Sequence, residues 1–233
     1  MSTLQQRPFV FLLLLLAAIT TLCGTAVSAS PEPWPDTPFR TSGRWILSAT
    51  GANVTLAGIS WPAHGELMIP EGLQHQSVAT IVGKIKSLGM NVVRLTYATQ
   101  MIDEIYANHG DDVTLGPAFW RVLGTTAGSA LLDKVLAKNP IFTSSTTRLQ
   151  VFDAVVAECA RQGIWVHLDN HVSAAKTACC SATDGNAWWG DRYFSATDWI
   201  RGLKFMAAHV SFPISNNSLP FPSSPSHLLS FAI

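Results

Sequence analysis

Three side chains of different chemistry stand at or near the ends of three apolar runs. Trp61 closes Gly58-Ile59-Ser60-Trp61, Arg94 lies within Asn91-Val92-Val93-Arg94-Leu95-Thr96-Tyr97, and His171 follows Leu168-Asp169-Asn170. An aromatic plate, a fixed cation and an imidazole at one rim suit an uncharged, polyhydroxylated ligand. The ring stacks on the ligand's apolar face, while guanidinium and imidazole hydrogen-bond its hydroxyls. Each residue also has a plainer role: Trp61 in a core, Arg94 satisfied by one structural carboxylate, His171 bonded to a loop. Trp188 and Trp189 add two further rings in a loop downstream. Of the carboxyl groups Glu66, Glu71, Asp169 and Asp184, Glu66 and Asp169 could lie near such a rim, and nothing in the sequence supplies environments that would push their pKa values apart. No metal-ligand spacing is present.

The elements that must position these residues are legible from periodicity. Arg44-Trp45-Ile46-Leu47 and Val54-Thr55-Leu56-Ala57-Gly58-Ile59 read as short strands around Thr50-Gly51-Ala52, an N-terminal β-hairpin whose second strand runs on to Trp61. Ser77 is an N-cap for a helix with Val78, Ile81, Val82, Ile85 and Leu88 on one face, stopped by Gly89. A strand follows at 91–95, then a long helical and loop segment from Ala98 to Asn139, ended by Pro140. Leu149, Phe152, Val155, Val156 and Cys159 mark another helix, stopped by Gly163 before the strand 164–168. Ser195 and Asp198 form a capping-box pair for a helix through about His209, with Trp199, Ile200, Leu203 and Met206 inward. Strand and helix thus alternate, as in βα units around a parallel sheet, and the continuous apolar runs predict strands buried on both faces. A doubly wound sheet would fit as well, but no Gly-rich phosphate loop follows the first strand. The expected fold is α/β, a (β/α)8 barrel of which about the first three βα units are present, with its functional rim at the C-terminal strand ends.

The remaining segments bound the setting. Arg7, the leucine-rich run from Phe9 to Ile19, and Val27 and Ala29 before Ser30 have the layout of a secretory signal peptide over residues 1–29. The apolar run is about half of the ~20 residues that span a bilayer, so a secreted, extracellular chain is expected, with no membrane association after cleavage. Four prolines over residues 30–43 read as a linker, 44–209 as the partial barrel, and 210–233, charge-free and rich in Ser and Pro, as a disordered or aberrant tail. Of the 15 basic residues Arg7 leaves with the leader, and the other 14 face 15 acidic ones, which gives no basic patch for nucleic acid or anionic lipid. Cys159, Cys179 and Cys180 remain, an odd count that leaves a free thiol, an intermolecular bridge or a missing partner open; Cys159, on an apolar helix face, reads as buried. Asn53 and Asn216 head glycosylation sequons.

Gly58-Ile59-Ser60-Trp61, the stretch from Lys86 to Leu95, Leu168-Asp169-Asn170-His171 and Ala187-Trp188-Trp189-Gly190 together resemble glycoside hydrolase family 5, the cellulase family, in its order and at similar spacings from about Arg44 to His209. The resemblance implies a (β/α)8 barrel and retaining, cofactor-free hydrolysis of a β-linked polysaccharide, a β-glucan or mannan. Arg94 matches the family's arginine that steadies the nucleophile, His171 a histidine of the subsite where the bond breaks, and Trp61 an aromatic near it. Ser60 departs from the Asn that the family often has there. The family also places an Asn-Glu pair on its fourth strand, with the Glu as general acid and base, and a nucleophilic Glu on its seventh. No Asn-Glu pair occurs in these 233 residues. The chain is therefore expected to lack its catalytic carboxylates, to be inactive alone, and to be poorly soluble with open sheet edges. A non-catalytic carbohydrate-binding protein is the alternative. A different barrel enzyme, such as an isomerase or aldolase, would want a strand-end Lys or a phosphate site, and neither is seen.

Overall fold

A computed structural model describes residues 37–211 except 182 and 187, together with 228 and 229. The expected leader, most of the linker, most of the tail and the Asn216 sequon lie outside the described residues. Twelve elements are named in chain order: β1 Arg40–Ser42, β2 Trp45–Leu47, β3 Gly58–Trp61, α1 Val78–Ser87, β4 Val92–Ala98, α2 Thr99–Ala107, α3 Leu115–Leu123, α4 Thr125–Lys138, α5 Arg148–Arg161, β5 Trp165–Val172, α6 Ala196–Ser211 and β6 Leu228–Leu229.

Local chemistry sets the helix ends. Ser77 Oγ accepts the Thr80 amide at 3.1 Å and starts α1, and Asn139, buried between α4 and the next turn, accepts the Val78 amide at 2.8 Å. Two of the amides a helix start leaves unpaired are thereby satisfied. The segment expected as one long helical and loop stretch resolves into α2, α3 and α4. Gly124, at φ +75°, turns the chain between α3 and α4. Gly128 lets the two helices close, because a Cβ there would sit 2.6 Å from the Phe119 carbonyl oxygen. α5 opens on a reciprocal capping box in which Thr147 Oγ1 accepts the Gln150 amide and Gln150 Oε1 accepts the Thr147 amide.

The main sheet has the order β3-β4-β5-β6, parallel throughout. Alternation separates its two faces. Val93, Leu95, Val166 and Leu168 join Val82 and Ile85 of α1 and Val151, Val155 and Cys159 of α5 in one core. Ser60, Arg94, His167 and Asp169 point the other way and keep partial exposure. The expectation of strands buried on both faces is thus corrected: among the described residues helices cover one face, and the opposite face carries polar side chains. Cys159 is a buried free thiol, and burial, then the charge of Glu158, push its pKa up to about 12. It is chemically quiet for that reason.

Three further expectations change. The hairpin lies earlier than its residue pattern indicates: β2 pairs antiparallel with β1, Arg40 opposite Leu47 and Ser42 opposite Trp45. Gly43, at φ +56°, opens the two-residue turn, whereas Leu47 makes only an isolated bridge to Asn53. Phe39 packs edge-on against Trp165 at 5.2 Å, which sets the hairpin at the N-terminal end of β5. Ile200 is 45% exposed, not inward, while Met206 is buried; Gly202 is the helix residue that meets Asn170 and Thr99, and this turns Ile200 away. Finally, Leu228–Leu229, in a stretch with no strand period, pairs with Val166 and His167 of β5. An edge with unpaired amides and carbonyls accepts any extended segment within reach, so pairing needs no side-chain pattern.

A buried ion cluster ties the helices together. Arg148 is fully buried, and its guanidinium donates to Asp112 at 2.6 and 2.9 Å and to Glu104 at 2.8 Å. Asp112 also accepts the Leu149 amide at 2.7 Å, so α2, the loop before α3 and the first turn of α5 share one charge centre. Replacing Arg148 with Ala leaves Asp112 without its counter-ion and Glu104 with Arg121 alone, at 3.1 Å, and a loss of about 3–5 kcal/mol is expected from the urea midpoint and slope. At the end of α6, His209 Nε2 donates to Asp153 at 2.7 Å, a bond that raises its pKa against the pull of burial. A raised folded value means this contribution is complete below the free histidine value of about 6.5 and fades as pH climbs through the higher one. Urea midpoints measured at about pH 5.5 and about pH 8.5 should fall with rising pH in the native chain, and by less in His209→Gln.

Candidate functional site

The strand register assembles the site. Ser60, Arg94 and His167 stand in one row across β3, β4 and β5, and Thr96 stands beside Asp169 one step further along. The pairing then shifts: Tyr97 faces Asn170, but Ala98 faces Val172, so His171 is an extra residue on β5. A bulge of this kind re-aims a side chain. It brings His171 Nδ1 to 2.9 Å from Asp169 Oδ2, while Arg94 Nη2 reaches the same carboxylate at 2.7 Å. Arg94 Nη2 and His171 Nδ1 are 3.1 Å apart, and Arg94 Nη1 lies 3.4 Å from Ser60 Oγ. Burial works against ionisation of Asp169, but the hydrogen bond from His171 and the charge of Arg94 outweigh it, and its pKa is lowered.

A second histidine joins from the loop after β3. Thr96 Oγ1 accepts the Ala63 amide at 3.0 Å and lies 2.7 Å from His64 Nδ1. The ring of His64 is 4.4 Å from that of His171 and is nearly buried. Burial first, then the neighbouring His171, lower its pKa, so His64 is neutral at pH 7. Cys179 and Cys180 form a disulfide between adjacent residues, and Cys180 Sγ lies 3.9 Å from His171 Nε2. This resolves the odd cysteine count within 159–180: one bonded pair and one buried thiol.

The sequence-derived site residues fare differently. Arg94 and His171 come together, but only His171 stands near a strand end: Arg94 is the third residue of β4 and reaches Asp169 by the length of its side chain. Trp61 is only 5% exposed, its indole N–H donates to the Glu71 carbonyl at 2.8 Å, and it forms a wall. It lines a cleft of about 580 Å³ between the 65–75 loop and helices α3 and α4, together with Glu66, Met68, Phe119, Leu131 and Thr177. Trp188 and Trp189 are exposed, and Trp189 packs on Phe194 at 4.7 Å and Trp199 at 5.0 Å. Glu66 accepts from the Thr177 hydroxyl at 2.7 Å, a bond that lowers its pKa. Asp184 caps the turn by accepting the Ser181 and Asn186 amides. Two residues of the cluster, His64 and Thr96, were not singled out from sequence. Their signal is positional: both sit within three residues of a strand end that already carried a candidate.

No family model matches the chain. A glycosyl hydrolase 5 family protein of Chamaecyparis obtusa is 40% identical over 176 residues, which are 75% of this chain and 30% of that relative. The catalytic domain of the major endoglucanase from Xanthomonas campestris pv. campestris superposes with a TM-score of 0.53 at 20% identity, over 73% of this chain and 40% of the other, a likeness of fold. The chain thus spans less than a third of the length of the Chamaecyparis obtusa relative. Over three-quarters of its length the chain is similar to glycoside hydrolase family 5 sequence.

Proposed function

We propose that this chain carries the ligand-steadying part of a retaining glycoside hydrolase site for a β-linked polysaccharide, a β-glucan or mannan, laid on the first three βα units of a (β/α)8 barrel. The observation that supports this reading is the Arg94–Asp169–His171 cluster, with the His64 ring tilted beside that of His171, toward the C-terminal end of β5. Barrel enzymes work at that end. The cluster's chemistry suits neutral hydroxyls: Asp169 absorbs the charge of Arg94, so the pair presents hydrogen-bonding groups with little net charge. The exposed rings of Trp188 and Trp189 add apolar faces of the kind sugars stack on. We assign the protein to the cell exterior, on its leucine-rich N-terminal run and its bonded cysteine pair.

Bond cleavage is a separate matter. Retention needs two carboxyl groups about 5–5.5 Å apart, one of them protonated at working pH. Glu66 and Asp169 are both held ionised, by Thr177 and by His171 with Arg94. Neither has a proton to give a leaving oxygen at neutral pH, and the chain holds no Asn-Glu pair. We therefore assign these 233 residues binding without hydrolysis by themselves, and the acid-base and nucleophilic roles to carboxyl groups this chain does not supply. The alternative, a binding protein with no catalytic partner, rests on the same cluster.

Calorimetric titration of the purified chain with soluble cello- and manno-oligosaccharides tests the reading. Binding is expected, and Arg94→Met and His171→Ala should each weaken it by about tenfold, the worth of one charged hydrogen bond. Reducing sugar should not accumulate. Absence of binding to either series would sink the proposal, and sugar release by the chain would sink the assignment of binding alone.

A further inference from the structure

We infer that His64, His171, Cys179 and Cys180 make a binding site for a soft divalent metal of the zinc class, closed by the Cys179–Cys180 bridge and opened by a dithiol reductant. One ligand atom from each of His64, His171 and Cys179 lies within 4.8 Å of the others, and Cys180 Sγ is 3.9 Å from His171 Nε2. Around tetrahedral zinc, with bonds of about 2.0–2.1 Å to nitrogen and about 2.3 Å to sulfur, neighbouring ligand atoms stand about 3.4–3.8 Å apart. The cluster is therefore near its bound spacing and needs movements on the order of 1 Å, which the exposed loop around Cys180 can supply.

The surroundings are those of a built site. His171 Nδ1–H donates to Asp169, which Arg94 holds at 2.7 Å, and this leaves Nε2 as the bare nitrogen on the sulfur side. A carboxylate behind a histidine is the arrangement that orients a metal-ligating imidazole. Thr96 engages Nδ1 of His64 in the same manner and reserves its Nε2. The donors come from the loop after β3, the end of β5 and the loop that follows. That explains why no ligand spacing shows in the sequence.

In the bridged form both sulfurs are weak donors. A dithiol supplies two electrons and two protons: the Cys179–Cys180 S–S bond breaks, two thiols form, and the reductant closes to its own disulfide. The metal then displaces a proton from each thiol it binds, and the proton passes to solvent. Metal occupancy follows the redox state of the cysteine pair.

The test uses the full chain, reduced with a dithiol and freed of it without air, then titrated with Co²⁺ as a spectroscopic probe and displaced by Zn²⁺. The reduced chain should take up a single equivalent with a sulfur-to-cobalt charge-transfer band, and the oxidised chain should show none. Cys179→Ser with Cys180→Ser should abolish the band, and Cys159→Ser should leave it unchanged. His64→Ala and His171→Ala should each weaken binding by more than about tenfold, and Asp169→Asn, which keeps all four ligands, by about 10–100-fold. Circular dichroism of each variant reports its fold, and Asp169→Asn carries the test should a histidine variant unfold. No band in the reduced chain, an equal band in the oxidised chain, or a band that survives loss of both cysteines would overturn the site.

Discussion

The parallel pairing of β4 with β5 is the constraint from which the site follows. Two strands in register place residues of like parity on one face, so a single choice of register decides which side chains meet. Here it sets Arg94 level with His167 and Thr96 level with Asp169, and the bulge after Tyr97 adds His171 to the same side. A slip of one residue would turn Val93, Leu95 and Val166 toward the polar face and send the charged groups into the helix-packed core. The core and the site therefore enforce one another: burying the aliphatic row is what holds the guanidinium, carboxylate and imidazole together.

Charge is handled in two ways in this molecule. At Arg148 the guanidinium is wholly buried and satisfied by Asp112 and Glu104, so its role is to fasten helices. At Arg94 the guanidinium is partly exposed and shares one carboxylate with a histidine, which leaves donors facing open space. The first arrangement serves stability; the second leaves groups free for the proposed recognition. The same logic separates the cysteines: Cys159 is sealed in the core, whereas the Cys179–Cys180 pair borders the histidines at the rim.

The likeness to glycoside hydrolase family 5 and the polar cluster both support the proposed carbohydrate ligand, but they bear on different parts of the chemistry. The proposed role of the cluster is to hold a neutral, hydroxyl-rich ligand. It does not account for proton donation, because the carboxylates near it are stabilised in their ionised forms by hydrogen bonds and opposite charge. A group that is to act as a general acid needs the reverse environment, apolar and without a cation at contact.

Much of the fold was legible because it is written in short-range terms. The caps at Ser77 and Ser195, the stops at Gly89 and Gly163 and the aliphatic periodicity of α1 and α5 are local, and so is the alternation that marks a βα pattern. Arg94 and His171 were legible as candidates for the same reason, since each stands at the end of an apolar run. The ladder then decided what local pattern could not: that these two share Asp169, that Thr96 seats His64 against His171, and that residues far apart in the chain bring two histidines beside a cysteine pair. Trp61 shows the limit of the local reading, because whether a strand-end indole stacks on ligand or seals a core depends on the loop laid over it. Sequence alone determined the order of β3, α1, β4, α5, β5 and α6, since propensity, capping and hydrophobic period act within a few residues. Only the tertiary structure decided the contacts among polar groups, because register, bulge and loop placement are set by packing the whole chain at once.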